Sequence, residues 1–134
     1  MKLLLDTHVL LWTLLDSPIL SEKARELILH TENQVYFSIL SLWEIQLKHD
    51  LHPDLMPINA RQFQEFCLES GFILLPLETE SIFSLARLAR PKEAKRHKDP
   101  FDRLLICQAI SKNMLFLTHD SLLLDYSEPC VCLI

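Results

Sequence analysis

A single glycine, Gly71, is all that 134 residues contain. Loops that wrap phosphate in backbone N–H groups need several glycines, as in GxxxxGKS/T and GxGxxG, so nucleotide binding of those kinds is excluded. Long apolar runs are also missing. The longest are a few residues, against the roughly 20 needed to span a bilayer. The opening MKLLLDTHVLLWTLLDS carries a lysine and an apolar stretch, as a secretory leader does. Asp6 and His8 interrupt it, however, and no small-residue cleavage site follows, so it reads as strand and helix. The four cysteines form no CxxC pair and no zinc-finger spacing, which suits reduced thiols in a cytoplasmic protein. Positive charge is scarce as well. A net charge of −5 argues against holding nucleic acid by bulk charge. The exception is RPKEAKRHKD, where Arg90, Lys92, Lys95, Arg96 and Lys98 face only Glu93 before Asp99. It reads either as a solvated loop or as a rim that contacts phosphates.

What is present is globular: 49% apolar and 23% charged residues, enough for one domain over 1–134 with a real core. Short apolar or β-branched runs (KLLLD, QVYFS, FILLP, LFLTHD, CVCLI) alternate with stretches of helical spacing. The helices are THVLLWTLL, a segment capped by Ser21, SLWEIQLKHDL, NARQFQEFCLESG ending at Gly71, TESIFSLARLA and DPFDRLLICQAISKN. Apolar strands alternating with helices predict a parallel sheet of four to five strands covered on both faces, a three-layer α/β/α domain.

Four junctions of that pattern carry an acid. Asp6 closes the first strand, beyond whose carboxyl end open parallel sheets place their ligands, yet it also suits a helix N-cap. Glu44 stands three residues after Ser41, which makes a capping box, and four before Lys48, which makes an ion pair. Asp99 precedes Pro100 as a cap does, and Asp102 falls in the first turn of a helix apolar enough to be buried. Asp120 follows the LFLTHD strand. Singly, each acid has a structural explanation. Together they share another, because gathered carboxylates repel unless a cation neutralises them. An all-oxygen set without Cys or His suits Mg²⁺, or Mn²⁺, better than Zn²⁺.

The stretches LLLDTHVLLW, VYFSILSLWEIQLK, GFILLPL, HKDPFDRLLICQA and LFLTHD resemble, in that order, the PIN-domain family, and within it the VapC-type toxins of type II toxin–antitoxin pairs. The likeness covers nearly the whole chain. It implies a Mg²⁺- or Mn²⁺-dependent endoribonuclease, cytoplasmic, often a homodimer, acting on RNA and restrained by a cognate antitoxin, with no membrane. The family's acids match Asp6, Glu44, Asp102 and Asp120 as catalytic residues. Asp6, Asp102, Asp99 and Asp120 match as metal ligands, with Asp102 the direct one and Asp99 the cap beside it. Thr7 matches the family's small hydroxyl residue, and with Lys48, Arg96, Lys98 and Arg103 is expected to meet the substrate. Two departures are visible: LARPKEAKRHKD is longer and more basic than the family's linker, and Cys107 stands where alanine is usual.

Rival readings find less support in the residues. A haloacid-dehalogenase-type phosphatase needs an aspartate two positions after the first, where His8 stands. A receiver-type domain needs paired N-terminal acids and a late lysine. His49 and His52 have near-helical spacing, but Pro53 ends the helix, which leaves an exposed pair. The remaining alternative is a PIN-like module that binds RNA or protein without cutting.

Overall fold

The computed structural model describes residues 1–95 and 99–134. Its strands are β1 (Lys2–Leu5), β2 (Gln34–Ser38), β3 (Ile73–Leu75), β4 (Leu115–Thr118) and β5 (Val131–Leu133). Its helices are α1 (Thr7–Leu14), α2 (Glu22–Leu29), α3 (Ile39–Leu51), α4 (Ala60–Glu69), α5 (Thr79–Phe83) and α6 (Pro100–Ser111), with 3₁₀ turns at Ser84–Arg87 and Ser121–Tyr126. The strands form one sheet in the order β3-β2-β1-β4-β5, and every neighbouring pair is parallel.

The run Leu3-Leu4-Leu5 occupies the middle strand, where both faces are covered and all three side chains are fully buried. Successive side chains of a strand point to opposite faces. Leu3 and Leu5 therefore join Val9, Leu10, Ala24, Ile28, Phe63 and Cys67 from α1, α2 and α4 in one core. Leu4 joins Leu105, Ile106, Ala109, Phe116 and Leu123 in the other. This is the three-layer α/β/α arrangement. No described helix is long and apolar enough to cross a membrane.

The strand order also fixes where a crevice opens. The chain steps outward from β1 to β2 and β3, then returns to the opposite side of β1 for β4 and β5. Connections leaving β1 and β4 diverge, which makes their carboxyl ends a topological switch point of the kind that binds ligands. Asp6 follows β1 and Asp120 follows β4, so both stand there.

Several helix ends are as expected. Asp99 caps α6 through the Phe101 N–H at 2.9 Å, with Pro100 at the first helical position. Ser21 caps α2 through the Ala24 N–H at 3.1 Å. Gly71 sits at φ 82°, and its N–H donates to Leu68 O while that of Phe72 donates to Cys67 O, both at 3.0 Å. That pair of bonds is a Schellman ending, and the left-handed conformation it demands explains why the chain's one glycine is here. All four cysteines are free thiols. Burial pushes the Cys67 thiol up to about 12, so it behaves as a small apolar group.

Two expectations need correction. The predicted capping box at Ser41 and Glu44 does not form, because α3 starts earlier: Ser38, at the end of β2, is the cap and accepts from Leu40 N–H at 3.0 Å. Ser41 therefore lies inside the helix, in its first turn. The helix predicted over TESIFSLARLA is α-helical only to Phe83 and continues as the 3₁₀ turn. There the Ser84 hydroxyl bonds back to Glu80 O at 2.9 Å, the kind of local bond that competes with helix continuation.

A buried polar tie holds α6 in place. Ser38 Oγ donates to Gln108 Oε1 at 2.6 Å, and Gln108 Nε2 donates to Pro76 O at 3.2 Å. Gln108 is 1% exposed, so this amide joins α6 to the segments leaving β2 and β3. Replacing Gln108 by Ala leaves two buried groups without their partner. It is expected to lower stability by about 1–3 kcal/mol, read as an earlier urea midpoint at unchanged slope.

Candidate active site

Five carboxylates from four parts of the chain face one cavity of about 250 Å³: Asp6, Glu44, Asp99, Asp102 and Asp120. Thr7, His8, Trp12 and His119 complete its lining. Each acid arrives there for a local reason. Asp6 ends β1 and caps α1, its Oδ1 accepting from Val9 N–H at 3.0 Å. Asp99 and Asp102 share the start of α6. Asp120 caps the turn Ser121–Tyr126, accepting from Leu122 N–H at 3.0 Å. Glu44 projects from the second turn of α3. Helix starts and strand ends occupy the same edge of a parallel sheet, so acids that cap helices are brought together by the topology.

The acids nearest the core are firmly held. Asp6 is 5% exposed, and its second oxygen accepts from the Thr118 hydroxyl at 2.6 Å. Glu44 is 7% exposed. Its Oε1 accepts from Thr7 Oγ1 at 2.9 Å, and its Oε2 pairs with Lys48 Nζ at 2.8 Å. Thr7 has one hydroxyl proton, directed at Glu44, so Ser41 Oγ, 2.9 Å away, is the donor in their mutual bond. Ser41, Thr7 and Glu44 thus form a chain that fixes the glutamate's orientation.

Crowding shows in the proton affinities. Burial pushes the Asp102 carboxyl up to about 8, and the charges of Asp99, Asp6, Glu44 and Asp120 add to that rise. Asp6 is raised as well, mainly by burial, against the pull of its bonds to Thr118 and Val9. At neutral pH Asp102 therefore retains a proton that a cation in the cavity would displace.

Among the described residues, no three Asp, Glu, His or Cys side chains already stand as a closed metal-ligating set. The acids instead line the walls of a cavity, with Asp6 held by Val9 and Thr118 and Glu44 by Thr7 and Lys48. Their chemistry still fits one class of ion. Every acidic donor is a carboxylate oxygen, the cavity leaves room for water, and the charges are mutually unfavourable without a counterion. Those are the needs of a hard divalent cation such as Mg²⁺ or Mn²⁺.

Among the described residues, the others singled out in the sequence are placed less centrally. Thr7 lines the cavity, but its hydroxyl is occupied by Glu44 and Ser41. Lys48 is bound to Glu44 and does not line the cavity. Nor does Arg103, which lies over the Tyr126 ring at 5.7 Å and reaches its hydroxyl at 3.4 Å. Arg96, His97 and Lys98 fall outside the described residues. Sequence reasoning missed the parts that Thr118, Ser41 and Trp12 play at the cavity. Thr118 is found only once register is known: Leu5 pairs with Leu117, which sets Asp6 beside Thr118. Ser41 was visible as a residue three before Glu44, hence on its helical face, but the cap reading concealed its bond to Thr7.

A crevice of carboxylates at the switch point of a parallel sheet defines the class: three-layer α/β/α domains with acids gathered at the carboxyl edge. The family model described as PIN domain matches residues 3–128, and the chain belongs to that family. Its fold is shared by solved structures of low sequence identity. The structure of VapBC2 from Rickettsia felis bound to a promoter DNA fragment aligns at TM-score 0.66 and 18% identity, covering 100% of this chain and 98% of that one. VapBC-1 from nontypeable Haemophilus influenzae gives 0.59 and 19%, covering 90% and 87%. FitAcB from Neisseria gonorrhoeae gives 0.56 and 21%, covering 92% and 89%. No curated protein sequence matches the chain.

The raised Asp102 makes stability depend on pH in a stated direction. Its folded value, about 8, exceeds the unfolded 3.8, so the folded state holds the extra proton. The contribution is complete below about pH 4 and is lost as pH rises through about 8. In chelator, wild type is expected to lose several degrees of melting temperature between pH 5 and pH 8 relative to Asp102→Asn. Parallel curves for the two proteins would contradict the assignment.

Proposed function

We propose that this chain is a divalent-metal-dependent endoribonuclease of the VapC type: the toxin of a toxin–antitoxin pair, acting in the cytoplasm as a homodimer under a cognate antitoxin. The observation that carries the reading is the meeting of Asp6, Glu44, Asp102 and Asp120, from four distant segments, in one cavity where burial and mutual charge hold Asp102 up to about 8. Membership of the PIN family supports the nuclease reading. The fold shared with the VapBC complexes supports an antitoxin partner.

Asp6, Asp102 and Asp120 are the residues that would hold Mg²⁺ or Mn²⁺, with Asp99 beside them as cap and water-mediated contact. A bound ion supplies Lewis-acid polarisation of a phosphate and a water of lowered pKa. The chain's own groups prepare the place. Val9 N–H and the Thr118 hydroxyl fix the Asp6 carboxylate, and Ser41 and Thr7 fix Glu44 against rotation. Lys48 partly neutralises Glu44 and so reduces the repulsion an incoming RNA phosphate meets. Asp102 yields its proton on loading, which ties occupancy to pH. Lys48, Arg96, Lys98 and Arg103 are the candidate contacts to RNA phosphates, and cations in that role add affinity that salt weakens. Thr7 is reassigned from touching substrate to orienting Glu44.

An antitoxin suited to this site carries an Arg or Lys that enters the acidic cavity and takes the cation's electrostatic role.

The test is cleavage of single-stranded RNA in Mg²⁺ or Mn²⁺ and growth arrest in cells lacking an antitoxin. Asp6→Asn and Asp102→Asn are expected to lower the cleavage rate by about 10²–10⁴-fold and to abolish arrest. Thr7→Val should cost about 10- to 100-fold, as the loss of a supporting hydrogen bond does. Equal arrest by wild type and both Asn variants would favour a module that binds RNA or protein without cutting.

A further inference from the structure

Three rings share the wall of the carboxylate cavity and do none of the work of holding Asp6 or Glu44 by hydrogen bonds. His8 and Trp12 lie one turn apart on α1, with ring centroids 6.1 Å apart and planes at 52°. His119, between β4 and Asp120, meets Trp12 edge to face at 5.1 Å and 85°. All three line the cavity, with His8 and His119 exposed and Trp12 half-buried against the core.

The group is ordered. His119 Nδ1 lies 2.9 Å from the backbone oxygen of Ile134. A carbonyl oxygen only accepts, so Nδ1 carries the proton, and the ring cannot turn without losing that bond. Trp12 is held by its packing on one side and by His119 on the other. The result is an aromatic surface on the wall beside the acids.

An indole on the wall of an acid-lined cavity offers its face to an occupant that brings both negative charge and a flat apolar surface. A nucleotide does. Its phosphate takes the cation-binding end, and its base lies one sugar away, within reach of the wall. Unpaired bases stack on Trp and His side chains with little regard to sequence.

We propose that Trp12, flanked by His8 and His119, is a stacking platform for an unpaired nucleobase adjacent to the phosphate that a cation at the carboxylates would hold. This rests on the ribonuclease reading and names the side chain that would give it a preference for single strands. A base inside a duplex is already stacked on its neighbours and cannot lie on Trp12, so loops and single-stranded ends are the targets.

The chain has two tryptophans, Trp12 and Trp43, so Trp43→Phe leaves Trp12 as sole indole reporter. With Asp102→Asn added to block cleavage, a single-stranded RNA decamer is expected to quench Trp12 emission saturably. A duplex of the same sequence is expected to leave it unchanged. In the otherwise native chain, Trp12→Leu should lower kcat/KM on single-stranded RNA by about 5- to 150-fold, chiefly through KM. Trp12→Phe should recover most of the loss. The Mn²⁺-induced rise in melting temperature should be the same in all three. The platform is overturned if Trp12→Leu cuts as wild type does, whether or not it escapes a peptide inhibitor, because the face then serves something other than RNA. It is also overturned if Trp12→Leu loses the Mn²⁺ response, which would make the indole only a wall for the acids. If the wild type cuts no RNA yet single strands still quench Trp12, the nuclease reading fails and the platform stands.

Discussion

Mutual repulsion among carboxylates at the carboxyl edge of the sheet is the constraint around which the molecule is arranged. Bringing like charges into a partly buried cavity is unfavourable, and the chain accepts it at the point where β1 and β4 diverge. The cost is contained by giving each acid a local anchor. Asp6, Asp99 and Asp120 cap helices or turns, so their oxygens meet backbone N–H groups at the positive ends of those elements. Glu44 lacks such a cap and is instead paired with Lys48. Asp102, raised most by burial and further by its neighbours' charges, keeps its proton.

The cores on either face of the sheet make that arrangement possible. Leu3, Leu4 and Leu5 fix β1 at the centre and so fix Asp6 at the mouth of the crevice. The buried face of α6 (Leu105, Ile106, Ala109) seats its first turn, and the amide of Gln108 ties it to β2, whose end caps the helix carrying Glu44. Ser38 therefore serves two elements at once. It accepts from Leu40 N–H to start α3 and donates to Gln108 on α6. Displacing this one hydroxyl would loosen both helices that contribute acids from that side.

Much of this was legible in the residues. Apolar triplets and β-branched runs marked the strands, and their alternation with helices required a parallel sheet closed on both faces. DPFDRLL gave both the cap and the first-turn acid of α6, and LLLDTHVLLW gave the strand, the acid and the helix after it. What stayed hidden depends on contacts between distant segments. The partnership of Asp6 with Thr118 spans 112 positions and follows from strand register. The chain Ser41–Thr7–Glu44 joins two helices whose adjacency comes only from sheet order. Trp12 read as one more apolar position of α1, because nothing in a helical stripe distinguishes a side chain that faces the core from one that also walls a cavity.

Metal binding with its proton count reaches the central claim most directly. Titrating Mn²⁺ into the protein near pH 7 by calorimetry, in buffers of different ionisation enthalpy, separates the ion's binding from the protons it expels. The account predicts saturable binding with release of up to one proton per site, from Asp102, and loss of that release in Asp102→Asn. Heat that shows no binding, or a proton release identical in the variant, would mean that the five carboxylates are caps and surface acids that share a cavity without sharing an ion.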